Sequence, residues 1–247
     1  MMNDIKVTIV TVAYNCEETI ATAIESVLNQ TYQNIEYLVI DGLSKDSTVE
    51  IARKYVQQFA EQGMTMRVVS EPDKGMYDAL NKGISMASGE LIGNINADDW
   101  YEPIAVERMV ELYLQEAYDI AWADLRIIKP TGNMIKKAHV GKIWTTSGFC
   151  HPTMFSKRDV LLKFPYACEQ MDDDFEMVIR AHKANKKIIT LNEVLANYRF
   201  GGMSTKKSIK DSAQRVRMKY ATYKKHGYSP FYWFYCLAIE AAKYILG

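Results

Sequence analysis

The sequence predicts an α/β fold in which a mixed, mainly parallel sheet is flanked by helices. Two observations predict it. The first is an alternation, through about the first hundred residues, of short β-branched apolar runs with amphipathic segments. Strands and helices alternating at that pitch imply parallel strands joined by crossover helices. The second is composition: of 247 residues, 48% are hydrophobic and 24% charged. Such a chain can bury a large core and is neither disordered nor a multi-span membrane protein.

The elements follow in order. Residues 6–12 are apolar on both faces and predict a buried strand. Residues 17–30 predict a helix with Ile20, Ala23, Ile24, Val27 and Leu28 on one side. A second buried strand covers 35–40 and ends at Asp41-Gly42. Residues 47–59 predict a helix with Val49, Ile51, Ala52, Tyr55 and Val56 on its apolar side. A strand at 66–69, a helix at 76–87 and a strand at 90–95 complete a Rossmann-like series. Beyond residue 100 the pattern loosens. It predicts a helix at 103–117, a strand at 119–123, a hairpin turn at Lys129-Pro130-Thr131-Gly132-Asn133, a helix at 174–184, a strand at 187–191 and a basic helix at 206–225.

Charge and cysteines narrow the function. Lys+Arg and Asp+Glu are 30 each, which argues against a globally basic nucleic-acid binder. Residues 206–225 nevertheless hold eight basic side chains against one acid, Asp211. Cys16, Cys150, Cys168 and Cys236 form no C-x-x-C pair, so free thiols in a reducing cytosol are expected. The apolar run at 7–12 is short and has no cleavage site after it, so no secretory signal is expected. The aromatic stretch 231–246 is shorter than the roughly 20 residues that span a bilayer, and Glu240 and Lys243 interrupt it. At helical spacing Cys236, Glu240, Lys243 and Gly247 share one stripe. Residues 206–247 thus predict an interfacial anchor on an anionic membrane, with packing on the domain or against a second copy in a homodimer as the other readings.

In a parallel sheet, ligands bind beyond the carboxyl ends of the strands. Here those ends are Val12-Ala13-Tyr14-Asn15, Asp41-Gly42, Ser70-Glu71-Pro72-Asp73 and Asn96-Ala97-Asp98-Asp99. The first loop has no glycine, and neither G-x-G-x-x-G nor a P-loop occurs. A diphosphate bound here needs its charge balanced otherwise. Carboxylates at a strand end suit Mg²⁺ or Mn²⁺, although paired aspartates also cap helices.

Three segments resemble the family 2 inverting glycosyltransferases of GT-A fold. They are Val10-Thr11-Val12-Ala13-Tyr14-Asn15, the run Asp41-Gly42-Leu43-Ser44-Lys45-Asp46-Ser47-Thr48, and the stretch from Ser70 to Tyr101. The match is dense in the first half and thin from about 102 to 205. The resemblance implies one GT-A domain over 1–205, with a nucleotide-binding half at 1–100 and an acceptor-binding half at 101–205, followed by the extension 206–247. It implies a nucleotide site of Val12, Tyr14, Asn15, Asp41, Asp73, Lys74, Asn96 and Ala97, in which Tyr14 packs on the base and Asp41 hydrogen-bonds it. Asn96-Ala97-Asp98 occupies the family's D-x-D position, with Asn first. Asp98 would be the main ligand of a divalent metal and Asp99 its support.

The family's base precedes a helix in the second half. Here Asp172-Asp173-Asp174-Phe175-Glu176 enters such a helix, which places the base at Asp174, with Asp173 as the alternative and plain helix capping as the competing reading. His151 is expected on a strand edge, near the diphosphate or acceptor or as a structural histidine. Gly201-Gly202 is expected as a lid hinge or an ordinary turn.

The resemblance therefore implies metal-dependent transfer of one hexosyl or N-acetylhexosaminyl group, with inversion, from a nucleotide-sugar to a hydroxyl acceptor. UDP is the first expectation, with dTDP and GDP open. The acceptor would be a polyprenyl-diphosphate-linked glycan in cell-surface polysaccharide synthesis, at the inner face of the cell membrane. The alternatives are a sugar nucleotidyltransferase, whose Gly-rich loop is absent at Ala13-Tyr14-Asn15, and a non-catalytic scaffold or carbohydrate-binding module. No Q-x-x-R-W pattern of polymerising synthases occurs, which favours single additions.

Overall fold

The computed structural model describes residues 4–141, 145–201 and 208–246. Its first half follows the predicted alternation closely. Strand β1 (Val7–Ala13) leads to α1 (Ile20–Leu28), β2 (Ile35–Asp41), α2 (Thr48–Lys54), α3 (Val56–Glu61), β3 (Thr65–Ser70), α4 (Met76–Met86) and β4 (Leu91–Asn94). Every residue of β2 is buried, as expected of a strand covered on both faces. The single helix expected at 47–59 is two helices. The Tyr55 N–H bonds back three residues to Ala52 O, which tightens the turn and breaks the α ladder there.

The second half runs β5 (Trp100–Tyr101), α5 (Ala105–Glu116), β6 (Ile120–Ile128), β7 (Met134–Lys136), β8 (Phe155–Lys157), α6 (Arg158–Lys163), α7 (Asp173–Lys183), β9 (Ile188–Arg199), α8 (Ile209–Lys225) and α9 (Tyr232–Leu246). The hairpin turn forms as predicted, with Gly132 at φ +123 joining β6 to β7. Strands β6 and β9 reach well past their expected ends because they pair with each other in parallel, with register shifts around Asp124. The buried Asp124 carboxylate accepts the Ala138 N–H at 2.7 Å and pairs with Lys137 at 2.6 Å. The predictions missed β8 and α6. They also misplaced His151: it is not on a strand edge but in a buried 3-10 turn, His151–Thr153, leading into β8.

The sheet order is β3-β2-β1-β4-β8-β6-β9-β5, with β7 beside β6. Strands β1 to β4 pair in parallel, β8 runs antiparallel between β4 and β6, and β5 closes antiparallel on β9. The reversal beyond β4 brings the second-half elements toward the carboxyl ends of the first four strands.

Helices α8 and α9 form a hairpin through Gly227, at φ +72. Two members of the predicted polar stripe, Cys236 and Glu240, are buried, while Gly247 lies outside the described residues. Glu240, 3% exposed, meets Arg215 at 2.8 Å and Lys219 at 3.8 Å, and Cys236 is buried beside it. Phe231, Phe234 and Leu237 face outward instead. The hairpin packs on α7. His226 Nε2 lies 2.8 Å from Glu176, Lys225 pairs with Glu169 at 3.0 Å, and the rings of Tyr223 and Phe175 meet edge to face at 6.1 Å. Lys206 and Lys207 of the basic segment lie outside the described residues.

Candidate active site

The loops after β1 and β2 build one side of the cleft. Asn15 takes the left-handed region at φ +47, and its N–H donates to Ser44 Oγ at 2.8 Å while its Oδ1 accepts the Lys45 N–H at 2.8 Å. The Cys16 N–H donates to Thr48 Oγ1 at 2.8 Å, and Asp46 Oδ1 accepts the Thr48 hydroxyl at 2.6 Å. These bonds explain why asparagine follows Tyr14 and why Ser44, Asp46 and Thr48 recur at short spacing. Val12 is half-buried beneath them and the Tyr14 ring stands 60% exposed, a flat apolar surface at the cleft.

Asp41 is fully buried at the end of β2. Its carboxylate accepts the Ser44 N–H at 3.0 Å, the Ser44 hydroxyl, and the Ser70 hydroxyl at 2.6 Å. The residue expected to meet a nucleobase therefore also organises the ends of two strands, β2 and β3. The half-buried Asp73 lies against Gly42, where an added Cβ would collide with its carboxylate, so glycine follows Asp41 for close approach. Asp73 Oδ1 accepts the Gly75 N–H at 2.8 Å, and Gly75, at φ +117, starts α4. Lys74 is exposed beside it.

The loop after β4 holds two adjacent carboxylates in different surroundings. Asp99 is fully buried, accepting Asn96 Nδ2–H at 3.2 Å and the Arg199 N–H at 3.0 Å. Burial, then the neighbouring Asp98, pushes its pKa up to about 7. Asp98 is half-buried, and burial raises it too. Ala97 is buried between them and Asn96. Asn96 thus ties the loop through Asp99, while among the described residues no side chain donates to the Asp98 carboxylate. Arg199, at the end of β9, donates through Nε to the Asp98 carbonyl at 3.3 Å and lies 5.3 Å from the Trp100 ring. Sequence reasoning missed Arg199; an isolated arginine a hundred residues from the loop carries no local signal.

These donors fit a hard divalent cation. They are oxygens in a desolvated, net acidic loop. Among the described residues no three His, Cys, Asp or Glu side chains converge. An ion there would take Asp98 and complete its shell with substrate oxygens and water, as Mg²⁺ commonly does.

The start of α7 provides the other wall. Asp173 is 2% exposed, and its Oδ2 accepts the Glu169 and Gln170 N–H groups at 2.6 and 3.0 Å. It holds the preceding loop and does not face the cleft. The Asp172 carboxylate is closed from solvent, and among the described residues no donor reaches it at hydrogen-bonding geometry. Burial, then Asp174, raises it to about 6, and Lys219 and Thr222 of α8 only temper that rise. Asp174 remains partly open, at 19% exposure, with its Oδ2 3.6 Å from His151 Nδ1. The buried His151 puts its Nε2 3.1 Å from the Tyr166 hydroxyl.

Helix α4 joins the two walls. The Tyr77 hydroxyl donates to Met171 O at 2.8 Å, and its ring stacks on Tyr166 at 5.3 Å. The Asn81 amide donates to Tyr166 O at 2.9 Å and accepts the Tyr166 N–H at 3.0 Å. The helix that begins at Asp73-Lys74-Gly75 therefore carries the loop that leads to Asp174. Gly201 is exposed at φ +132 beyond β9, and Gly202 lies outside the described residues.

Comparison with known proteins agrees with this arrangement. The model of "Glycosyl transferase family 2" matches residues 8–170. The O-antigen biosynthesis glycosyltransferase WbnJ of Escherichia coli is 26% identical over 212 residues, 82% of each chain. Relatives matched at 30% identity or better are longer proteins, of which this chain spans 13–34%. Among solved structures, S. aureus TarS 1-349 in complex with UDP has a TM-score of 0.70 at 16% identity, covering 98% of this chain and 72% of that one. The mannosyltransferase PcManGT from Pyrobaculum calidifontis, in complex with GDP-Man and Mn2+, has a TM-score of 0.68 at 17% identity, covering 97% and 70%. With strand-end loops and sheet order of this kind, the chain belongs to glycosyltransferase family 2 and has the GT-A fold.

Proposed function

We propose that this enzyme transfers a single sugar, with inversion, from a UDP-sugar to a hydroxyl of a lipid-linked glycan during cell-surface polysaccharide synthesis. The observation that carries the reading is the joining of two walls by α4: the strand-end loops of Asp41, Asp73 and Asp98 on one side and Asp174 on the other. The exposed Tyr14 ring would stack on the base, with Val12 and Asn15 shaping the loop beneath. Asp41 suits a uracil N–H if its serine partners leave a lone pair, and Asp73 and Lys74 would flank the ribose and diphosphate. Asn96 and Ala97 would hold the near edge of that site.

Asp174 would accept the acceptor hydroxyl's proton as that oxygen bonds to the anomeric carbon and the carbon–phosphate oxygen bond breaks. The opposite face of the sugar is attacked, so configuration inverts. Mn²⁺ or Mg²⁺ held by Asp98, with Asp99 fixing the loop, would supply Lewis-acid stabilisation of the departing diphosphate. That TarS is solved with UDP and UDP-GlcNAc, and PcManGT with GDP-Man and Mn2+, supports a nucleotide-sugar donor and a divalent metal.

The extension fits the same reading. Among the described residues no helix is long and apolar enough to cross a membrane. Outward Phe231, Phe234 and Leu237, next in sequence to a basic helix, suit the interface of an anionic inner leaflet, where a lipid-linked acceptor would lie.

Thermal unfolding with UDP, dTDP, GDP and CDP, each with Mn²⁺, Mg²⁺ or EDTA, tests the donor site. A nucleotide at about 100 times its Kd adds roughly 2.7 kcal/mol, which at this size raises the midpoint by roughly 5–10 °C. A shift with UDP that EDTA abolishes is expected. A shift with GDP alone would overturn the choice of UDP, and no shift with any pair would overturn the donor site.

A further inference from the structure

We infer that His151 positions the Asp174 carboxylate, and that Tyr166 sets His151 for the task by fixing its tautomer. The inference rests on the reading of Asp174 as the base. Its ground is a chain of three side chains from three separate segments. Tyr166 OH lies 3.1 Å from His151 Nε2, and His151 Nδ1 lies 3.6 Å from Asp174 Oδ2.

The two contacts together choose the tautomer. A neutral imidazole has one N–H and one lone pair. A bare Nδ1 facing a carboxylate would set lone pair against anion, so the proton belongs on Nδ1. Nε2 then accepts, and the Tyr166 hydroxyl is the donor it needs. Burial disfavours the charged imidazolium and pulls the His151 pKa down, although Asp174 opposes this. The ring is therefore a neutral group with its Nδ1–H turned toward Asp174 Oδ2 at 3.6 Å, not a salt-bridge cation.

The chain is also held rigidly. The Tyr166 ring stacks on Tyr77, and Asn81 takes both the N–H and the carbonyl of Tyr166. The His151 ring also lies near Phe149, 6.0 Å between centroids. Asp174 Oδ1 accepts the Phe175 N–H at 2.7 Å. With one oxygen on the helix backbone and the other beside His151, the carboxylate has little freedom to turn. The groups facing Asp174 are His151 from the 3-10 turn, Tyr77 from α4, Tyr166 from the loop before α7, and Asp172 from its own segment, with Lys219 and Thr222 of α8 beyond Asp172.

Two measurements on the full chain test the inference. With isotope-labelled histidine, long-range proton–nitrogen correlation reports each ring's tautomer. The His151 proton is expected on Nδ1 in the wild type, and a mixture is expected in Tyr166→Phe, which keeps the stacked ring. A wild-type proton on Nε2 overturns the inference whatever Asp174 does. The second measurement is UDP release from UDP-GlcNAc, with water standing in for the acceptor hydroxyl. His151→Leu is expected to lower kcat by about tenfold to a hundredfold, less than the ~10²–10⁴ that a general base contributes. It should leave KM for UDP-GlcNAc unchanged. His151→Asn, whose side-chain N–H falls near the place of Nδ1–H, should restore much of kcat. A folded His151→Leu with wild-type kcat overturns the inference, as does a loss of kcat that His151→Asn does not recover at all. If that variant does not fold, Tyr166→Phe serves in its place, with a smaller loss of kcat expected and no loss overturning the role of Tyr166. Full activity in Asp174→Asn would instead remove the base itself, an outcome distinct from a wrong tautomer.

Discussion

At the scale of single residues, four aspartates with similar sequence settings end in different roles, and burial with hydrogen bonding separates them. Asp41 and Asp173 are closed off and hold loops. Asp99 is closed off beside Asp98 and ties its loop to Arg199. Asp174 alone of the α7 run stays partly open with a histidine beside it. Asp174→Asn should therefore cut UDP release from UDP-GlcNAc by ~10²–10⁴ while the UDP-induced rise in unfolding midpoint survives. Retained turnover would remove Asp174 as base; loss of the UDP shift would mean that the substitution disturbed the donor wall. Asp173→Asn should act differently. It leaves two backbone N–H groups facing a neutral amide, so its main effect is on stability.

At the scale of elements, α7 matters most, because it carries Asp174 at one end and is gripped by α8 along its side. Glu176 is the centre of that grip. It is almost fully buried, with Arg180 at 2.7 Å and His226 at 2.8 Å. Burial pushes its pKa up, but the bonds from Arg180 and His226 outweigh burial and leave it below the ordinary value. A carboxyl lowered on folding stabilises above its unfolded pKa, and that stabilisation is lost as pH falls through the folded one. Glu176→Gln should cost about 1.5–3 kcal/mol at pH 7, the range for hydrogen bonds to charged groups. The difference from wild type should shrink as pH falls from the unfolded value of about 4.3 through the lower folded one. Urea unfolding at a series of pH values checks this; a gap constant with pH would mean that packing, not charge, is lost. The elements also show what was legible from sequence. Strands β1 to β4 were readable because each is a buried run with its own apolar signal. The site loops were readable because they must follow those strands. Strand β8 has three residues and is defined only by its partners β4 and β6, so no local pattern marks it. The His151 turn, the long pairing of β6 with β9, and Arg199 were hidden for the same reason: their meaning lies in contacts across the chain.

At the scale of the whole molecule, the question is why the α/β body carries a helix that buries Glu240 and exposes Phe234 and Leu237. Glu240 alone could satisfy Arg215 and Lys219 on any helix, but here that pairing turns Phe231, Phe234 and Leu237 to the outside. A bilayer interface accepts such a face, and the exposed Lys210, Arg217 and Lys224 of α8 would add roughly 1 kcal/mol for each cation that reaches anionic lipid. Removing α9 is a poor test, because Tyr223 of α8 is packed against it and would be uncovered. Substituting exposed positions avoids this. Phe231→Ser and Phe234→Ser together should leave the unfolding midpoint and UDP release unchanged but strongly reduce flotation with vesicles containing phosphatidylglycerol. Binding should weaken with rising salt, since screening acts on the cationic share of the attraction. Undiminished flotation in the double variant would dismiss the aromatic face as the anchor. A wild type that ignores vesicles but halves its apparent mass on dilution, with the variant monomeric throughout, would assign the face to a second copy of the chain. Because α8 also contacts α7, a shift of the hairpin on a membrane would be felt first at Asp172 and Glu176, the residues that Lys219, Thr222 and His226 face.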